Sequence, residues 1–119
     1  MELFTTFVKN LNNMWLKPIP KKDYYAAIFS STKEDDLTGY HELNDSLMQL
    51  AMQQEGFLGY ESIANGNKSI FISYWESMEA IEKWKHNVLH TSAKQSAHRW
   101  YKRYLSQICK IEHTTIFEK

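Results

Sequence analysis

An excess of charge of either sign is missing from this sequence: Lys and Arg total 14, Asp and Glu total 14, and the formal net charge is zero. A nucleic-acid or anionic-membrane binder would carry a basic footprint, so the expected partner is a small molecule. Cysteine is almost absent, and the single Cys109 cannot form an internal disulfide. Together with acidic Glu2 and the lack of an apolar leader segment, this predicts a cytoplasmic chain without a secretion signal. No apolar run approaches the length of a membrane span. Phosphate-binding glycine loops, a serine nucleophile elbow and paired cysteine ligands are missing too, so nucleotide hydrolysis and serine-hydrolase chemistry have no support.

What the chain does have is apolar and aromatic weight. Its 119 residues are 43% hydrophobic and 14% aromatic, enough for one buried core and too short for two. Phe4, Phe7, Val8, Leu11, Met14 and Trp15 recur at helical spacing and predict an amphipathic helix over residues 1–16. Pro18 and Pro20 then make residues 17–22 a linker. Docking of that helix on its own dimer and attachment to a membrane surface are the two readings; the absence of a dense basic face weighs against the second.

Tyr24 to Ser30 has the aromatic and β-branched content of a strand. From about Thr38 to Gln54 a helix is predicted, with Tyr40, Leu43, Leu47, Leu50 and Ala51 on one face and Gly56 at a left-handed C-terminal cap. Residues 57–64 and 68–75 flank Asn65, Gly66 and Asn67, the signature of a tight hairpin. Ser77 is a candidate N-cap for a helix carrying Met78, Ile81, Trp84 and Val88. Helical spacing continues through Ala93, Ala97, Trp100, Tyr101 and Tyr104 after a break near Asn87, and residues 105–112 read as a closing strand. The expected organisation is an N-terminal arm and linker over 1–22, a domain over 23–113 and a tail over 114–119.

The order β-α-β-β-α-β is the ferredoxin-like α+β arrangement, a four-stranded antiparallel sheet with its helices on one face. In the strand over residues 68–75, Phe71 and Trp75 share one face while Ile70, Ile72 and Tyr74 share the other. Both faces are apolar. A second subunit is therefore expected to cover the face without helices, in an isologous homodimer.

The segments Tyr24-Tyr25-Ala26-Ala27-Ile28-Phe29-Ser30, Gly56-Phe57-Leu58-Gly59-Tyr60-Glu61-Ser62 and Ser73-Tyr74-Trp75-Glu76-Ser77 resemble the antibiotic biosynthesis monooxygenase family. So do Ala80-Ile81-Glu82-Lys83-Trp84-Lys85, the downstream His90 and the Trp100-Tyr101 pair. The resemblance covers roughly residues 24–112. It implies the dimeric α/β barrel fold, with a small pocket between sheet and helices in each subunit. In some members that pocket oxygenates an activated aromatic substrate without metal or flavin. Haem-degrading relatives use an Asn at the end of the first strand, a Trp on the second main helix and a later His. Trp84 matches that Trp, but Ser30 or Ser31 stands at the Asn position and Lys94 near the His position, with His90 one turn earlier.

Oxygenation without a cofactor requires a base, donors for the resulting oxyanion and a dry pocket. His90 is the candidate base, since an ordinary imidazole accepts a proton at neutral pH; the alternative is a histidine bonded to backbone at the helix break. Trp84 and Tyr74 are candidates for orienting the substrate, and Phe29, Tyr60, Trp75 and Trp100 for lining its pocket. The same aromatics would equally serve as core packing. Glu82, His86 and His90 fall at successive four-residue spacings, yet Ile81 and Trp84 claim the buried face, so no metal site is expected. Cys109, in a strand-like run, reads as inert core packing. The function that follows is a monooxygenase using no bound cofactor on a small aromatic or polyketide-like compound. A non-catalytic small-ligand-binding dimer and a haem-binding or haem-degrading relative are the alternatives.

Overall fold

The computed structural model describes residues 19–119. The amphipathic helix expected over residues 1–16 lies outside the described residues. The elements are β1 (Tyr24–Lys33), α1 (Tyr40–Met52), β2 (Phe57–Asn65), β3 (Lys68–Trp75), α2 (Met78–Lys85), α3 (Val88–Trp100) and β4 (Tyr101–Ile111). The strands form one sheet in the order β2-β3-β1-β4, with every neighbouring pair antiparallel. This is the ferredoxin-like α+β fold. No helix among the described residues is long and apolar enough to cross a membrane.

Alternation along the strands separates the two faces. The β1/β3 register pairs Tyr25 with Trp75, Ala27 with Ser73 and Phe29 with Phe71, so these six share one side. The helices lie there: Met48 of α1 packs with Tyr60, and Ala80 and Ile81 of α2 pack with Trp75. On the opposite face Tyr24, Ala26 and Tyr74 form a cluster with Ile19, Ile28, Leu58, Ile72 and Ile111, none of them from a helix. The tail adds a tie to that cluster through the Tyr24 hydroxyl and Thr114 Oγ1, 2.6 Å apart. The remainder of this face is open, with Ile63 72%, Ile70 45% and Leu105 46% exposed.

Local signals place most boundaries. Ser77 caps α2, its hydroxyl accepting the Ala80 N–H at 3.1 Å. The β2-β3 hairpin turns tightly, with Asn65 paired to Lys68 and Gly66 at φ +63°. Two expectations need correction. The helix preceding Gly56 ends earlier, capped by Gln53, and Gly56 at φ +89° serves the turn into β2, where its carbonyl accepts the Glu76 N–H. Tyr101 and Tyr104 are not helical but open β4: the Trp100 carbonyl accepts the Glu34 N–H, and Tyr101 pairs with Lys33. Their spacing of three suits a helix face, but pairing with the extended end of β1 satisfies their backbone instead.

The two glycines that flank β2 differ in what surrounds them. A Cβ on Gly56 would meet Ala80 Cβ at 2.7 Å and Glu76 Cγ at 3.0 Å, whereas one on Gly66 meets nothing within 4 Å. Gly66→Ala should therefore cost only the left-handed backbone penalty, about 1–2 kcal/mol. Gly56→Ala should cost distinctly more, because it also drives α2 from the sheet. Urea denaturation of both variants checks the order.

Candidate active site

The end of the helix side nearest α2 is built around Trp75, which is fully buried. Its indole N–H donates to Ser73 Oγ at 2.9 Å, two residues back on the same face, which locks the ring and leaves its faces as contact surface. Phe57 meets one side edge-on, with ring centroids 5.4 Å apart, and Trp84 stacks at 6.2 Å with an interplanar angle of 26°. His90 stacks in turn on Trp84 at 4.8 Å and 17°. Trp75, Trp84 and His90 thus form a continuous series of flat rings from the core outward.

The break between α2 and α3 positions His90. Where α2 stops, the Trp84 carbonyl accepts the Asn87 N–H at 3.0 Å and lies 3.1 Å from His90 Nδ1. A carbonyl can only accept, so Nδ1 carries the hydrogen and the neutral ring keeps its lone pair at Nε2. Burial lowers the His90 pKa below its ordinary value; the backbone bond opposes this, and Lys94 and Lys85 add to it. The ring is thus neutral at pH 7, in the tautomer whose Nε2 can take a proton. His86, by contrast, points outward, 3.9 Å from Glu82 on an exposed face. Among the described residues no three His, Cys, Asp or Glu side chains are gathered as a metal ion would need.

The other candidates are dispersed. Tyr74 faces away from Trp75, as neighbouring strand residues must, and its hydroxyl donates to Glu61 Oε2 at 2.6 Å. A role for Tyr74 beside His90 is therefore withdrawn. Tyr60 is on the helix side, 2% exposed, between Met48 and Phe71. Burial, with a smaller effect from Asp45, pushes its phenol pKa up. Phe29 and Trp100 belong to a separate aromatic group at the far end. Phe29 contacts Tyr101 and Tyr104, and Trp100 meets Tyr40 edge-on while its indole N–H donates to the Thr38 carbonyl at 2.9 Å. A cleft of about 260 Å³ beside it is lined by Asp36, Thr38, Arg99 and Trp100. Tyr25 and Phe57, which pack on the Trp75 cluster, were not singled out from the sequence. The parity of Tyr25 with Phe29 could have flagged the first; the second reaches this face through the β2 irregularity between Phe57 and Gly59.

The profile of the antibiotic biosynthesis monooxygenase family matches residues 23–96. This chain belongs to that family. The uncharacterized protein YqjZ of Bacillus subtilis (strain 168) is 38% identical over 107 residues, spanning 88% of this chain and 94% of YqjZ. Among solved structures, SO0527 from Shewanella oneidensis superposes with a TM-score of 0.67 at 8% identity, covering 76% of this chain and 93% of its own. SnoaB, a cofactor-independent oxygenase from Streptomyces nogalater, gives 0.63 at 10% identity, covering 82% and 99%. At such identities the two structures share the family's fold with this chain and carry nothing about its chemistry.

The lowered His90 pKa has a stability consequence with a definite sign. Below the ordinary imidazole pKa of ~6.5 the unfolded chain takes up a proton that the folded chain refuses. Stability should be fully present above that value and fall as the pH drops through the window down to the folded-state pKa. Denaturation midpoints between pH 7.5 and 5, with His90→Gln for comparison, should show a fall that the variant reduces. Imidazole nitrogen shifts in NMR should report a neutral ring protonated at Nδ1 at pH 7.

Proposed function

We propose that this chain is a cofactor-independent monooxygenase for a small, electron-rich aromatic or polyketide-like substrate, acting at the half-buried Trp84 and His90 rings, which Trp75 backs from the core. Family membership supports the reaction class. The observation that carries the reading is a histidine held neutral, with its Nδ1 hydrogen on a backbone carbonyl and its ring stacked on a tryptophan. His90 Nε2 removes a proton from an activated CH₂ of the substrate. The carbanion passes an electron to O₂, and recombination gives a peroxide anion, which regains a proton from the imidazolium. Loss of water, with departure of the second hydrogen of that carbon, leaves a ketone. CH₂ and O₂ thus become C=O and H₂O without an external reductant. The half-buried edge of Trp84, held in place by Trp75 behind it, orients a planar substrate and keeps water from the anion.

Oxygen uptake with a panel of anthrones tests the reading. The parent protein should consume O₂, and His90→Ala should lower the rate by about 10²–10⁴-fold, the usual worth of a general base. Equal rates would remove His90 from the mechanism. Saturable binding with no uptake by the parent would favour a ligand-binding module, and a Soret shift on haem titration would favour the haem reading.

The pairing of two chains through their uncovered sheet faces is part of the same proposal. Ile63, Ile70 and Leu105 are the exposed apolar side chains there, and Cys109, expected in the core, is instead exposed on the same face as Leu105, because no helix covers that side of β4. The thiol is a built-in reporter: it should react slowly with a thiol reagent in the parent and several-fold faster in an Ile70→Asp, Leu105→Asp variant that sediments as a monomer. A parent that sediments as a monomer with a fast-reacting thiol would overturn the pairing.

A further inference from the structure

The far end of the helix side gathers a cation and rings that the oxygenase reading does not use. Lys33 Nζ is half-buried; it donates to Ser69 Oγ at 2.8 Å and lies 5.6 Å from the centre of the Tyr40 ring. Among the described residues no carboxylate lies within ion-pair distance of it. A half-buried ammonium whose partners among the described residues are a hydroxyl and a ring face is short of a counter-anion. Burial lowers its pKa accordingly.

The surroundings are aromatic and partly open. The Tyr101 hydroxyl donates to that of Tyr40 at 3.4 Å, and burial pushes both phenol pKa values up, so both stay protonated at neutral pH and the Tyr40 hydrogen is the one left to donate onward. Phe29 stacks on Tyr104 at 5.3 Å and 26° and meets Tyr101 edge-on at 5.3 Å, while Tyr104 is 45% exposed. Phe29 stands four residues along β1 from Tyr25, the neighbour of Trp75, which separates the two ring groups by roughly 13 Å. A ligand seated here would not occupy the place beside His90.

We infer that the Lys33 end of the helix side is a second binding site, which takes a planar aromatic anion such as an aromatic carboxylate. The Lys33 ammonium meets the anionic group with a charge-assisted hydrogen bond, the Tyr40 phenol supplies a further donor, and the exposed Tyr104 ring, backed by Phe29, carries the aromatic plane. The cation selects charge and the rings select shape.

Titration with 2-naphthoate, against the neutral 2-naphthamide, tests the site in the full chain. The carboxylate should bind saturably and more tightly than the amide. It should shift the NMR signals of the Lys33 ε-methylene and the Tyr104 ring while leaving those of Trp84 and His90 in place. Lys33→Met should weaken the carboxylate by roughly ten-fold and leave the amide unchanged, as expected for a hydrogen bond to a charged group. Lys33→Arg should retain binding, and His90→Gln should not alter it. Equal affinity for acid and amide, absence of saturable binding, or shifts confined to Trp84 and His90 would overturn the assignment. Should Lys33→Met fail to fold, the shift map and Lys33→Arg decide the matter.

Discussion

The two-residue period of a β-strand divides every side chain of this sheet between a face under helices and a face without them. Much of the molecule's organisation follows from that division. Trp75 and Tyr74 are covalent neighbours, yet one lies under α2 against Ile81 and Trp84 while the other lies on the helix-free side with Tyr24 and Ala26. The proposed chemistry belongs to the first face and the proposed pairing to the second. A one-residue slip of β3 against β1 would exchange the two sets and destroy both.

On the helix side, the arrangement of His90 depends on a helix ending rather than on a helix. Had α2 run on unbroken, the Trp84 carbonyl would be committed within the helix and Glu82, His86 and His90 would follow one stripe. The stop after Lys85 frees that carbonyl for Asn87 and His90, turns the imidazole onto the Trp84 ring and separates it from His86. One backbone oxygen thereby sets the tautomer, the orientation and part of the protonation balance of the proposed base.

The features legible in the sequence were those with a local cause. The Asn65 to Asn67 turn, the Ser77 cap, the break near Asn87 and the opposite orientations of Phe71 and Ile70 each follow from a few adjacent residues, and the strand order follows from the succession of elements. The features that were not legible depend on partners distant in sequence. Tyr101 and Tyr104 have helical spacing and become a strand because the end of β1 offers them backbone partners. Phe57 reaches the helix side through an irregularity in the β2-β3 register beside Gly59, a lone strand glycine at φ +155° that marks a bulge without saying which side chain it turns over. Of the candidate site residues, Trp84, Trp75 and His90 come together, whereas Phe29 and Trp100 assemble elsewhere with Tyr40, Tyr101 and Tyr104. Aromatic character was plain from composition; its partition into two groups is a property of register.

In the proposed reaction the neutral His90 ring takes a proton from an aromatic substrate held beside Trp84, before oxygen is involved. Mixing the protein with an anthrone under strictly anaerobic conditions and recording the absorption spectrum isolates that step. The account predicts the red-shifted band of the bound substrate anion with the parent protein and its loss with His90→Gln. A spectrum unchanged by the parent protein, or an anion band of equal size in the variant, would contradict it.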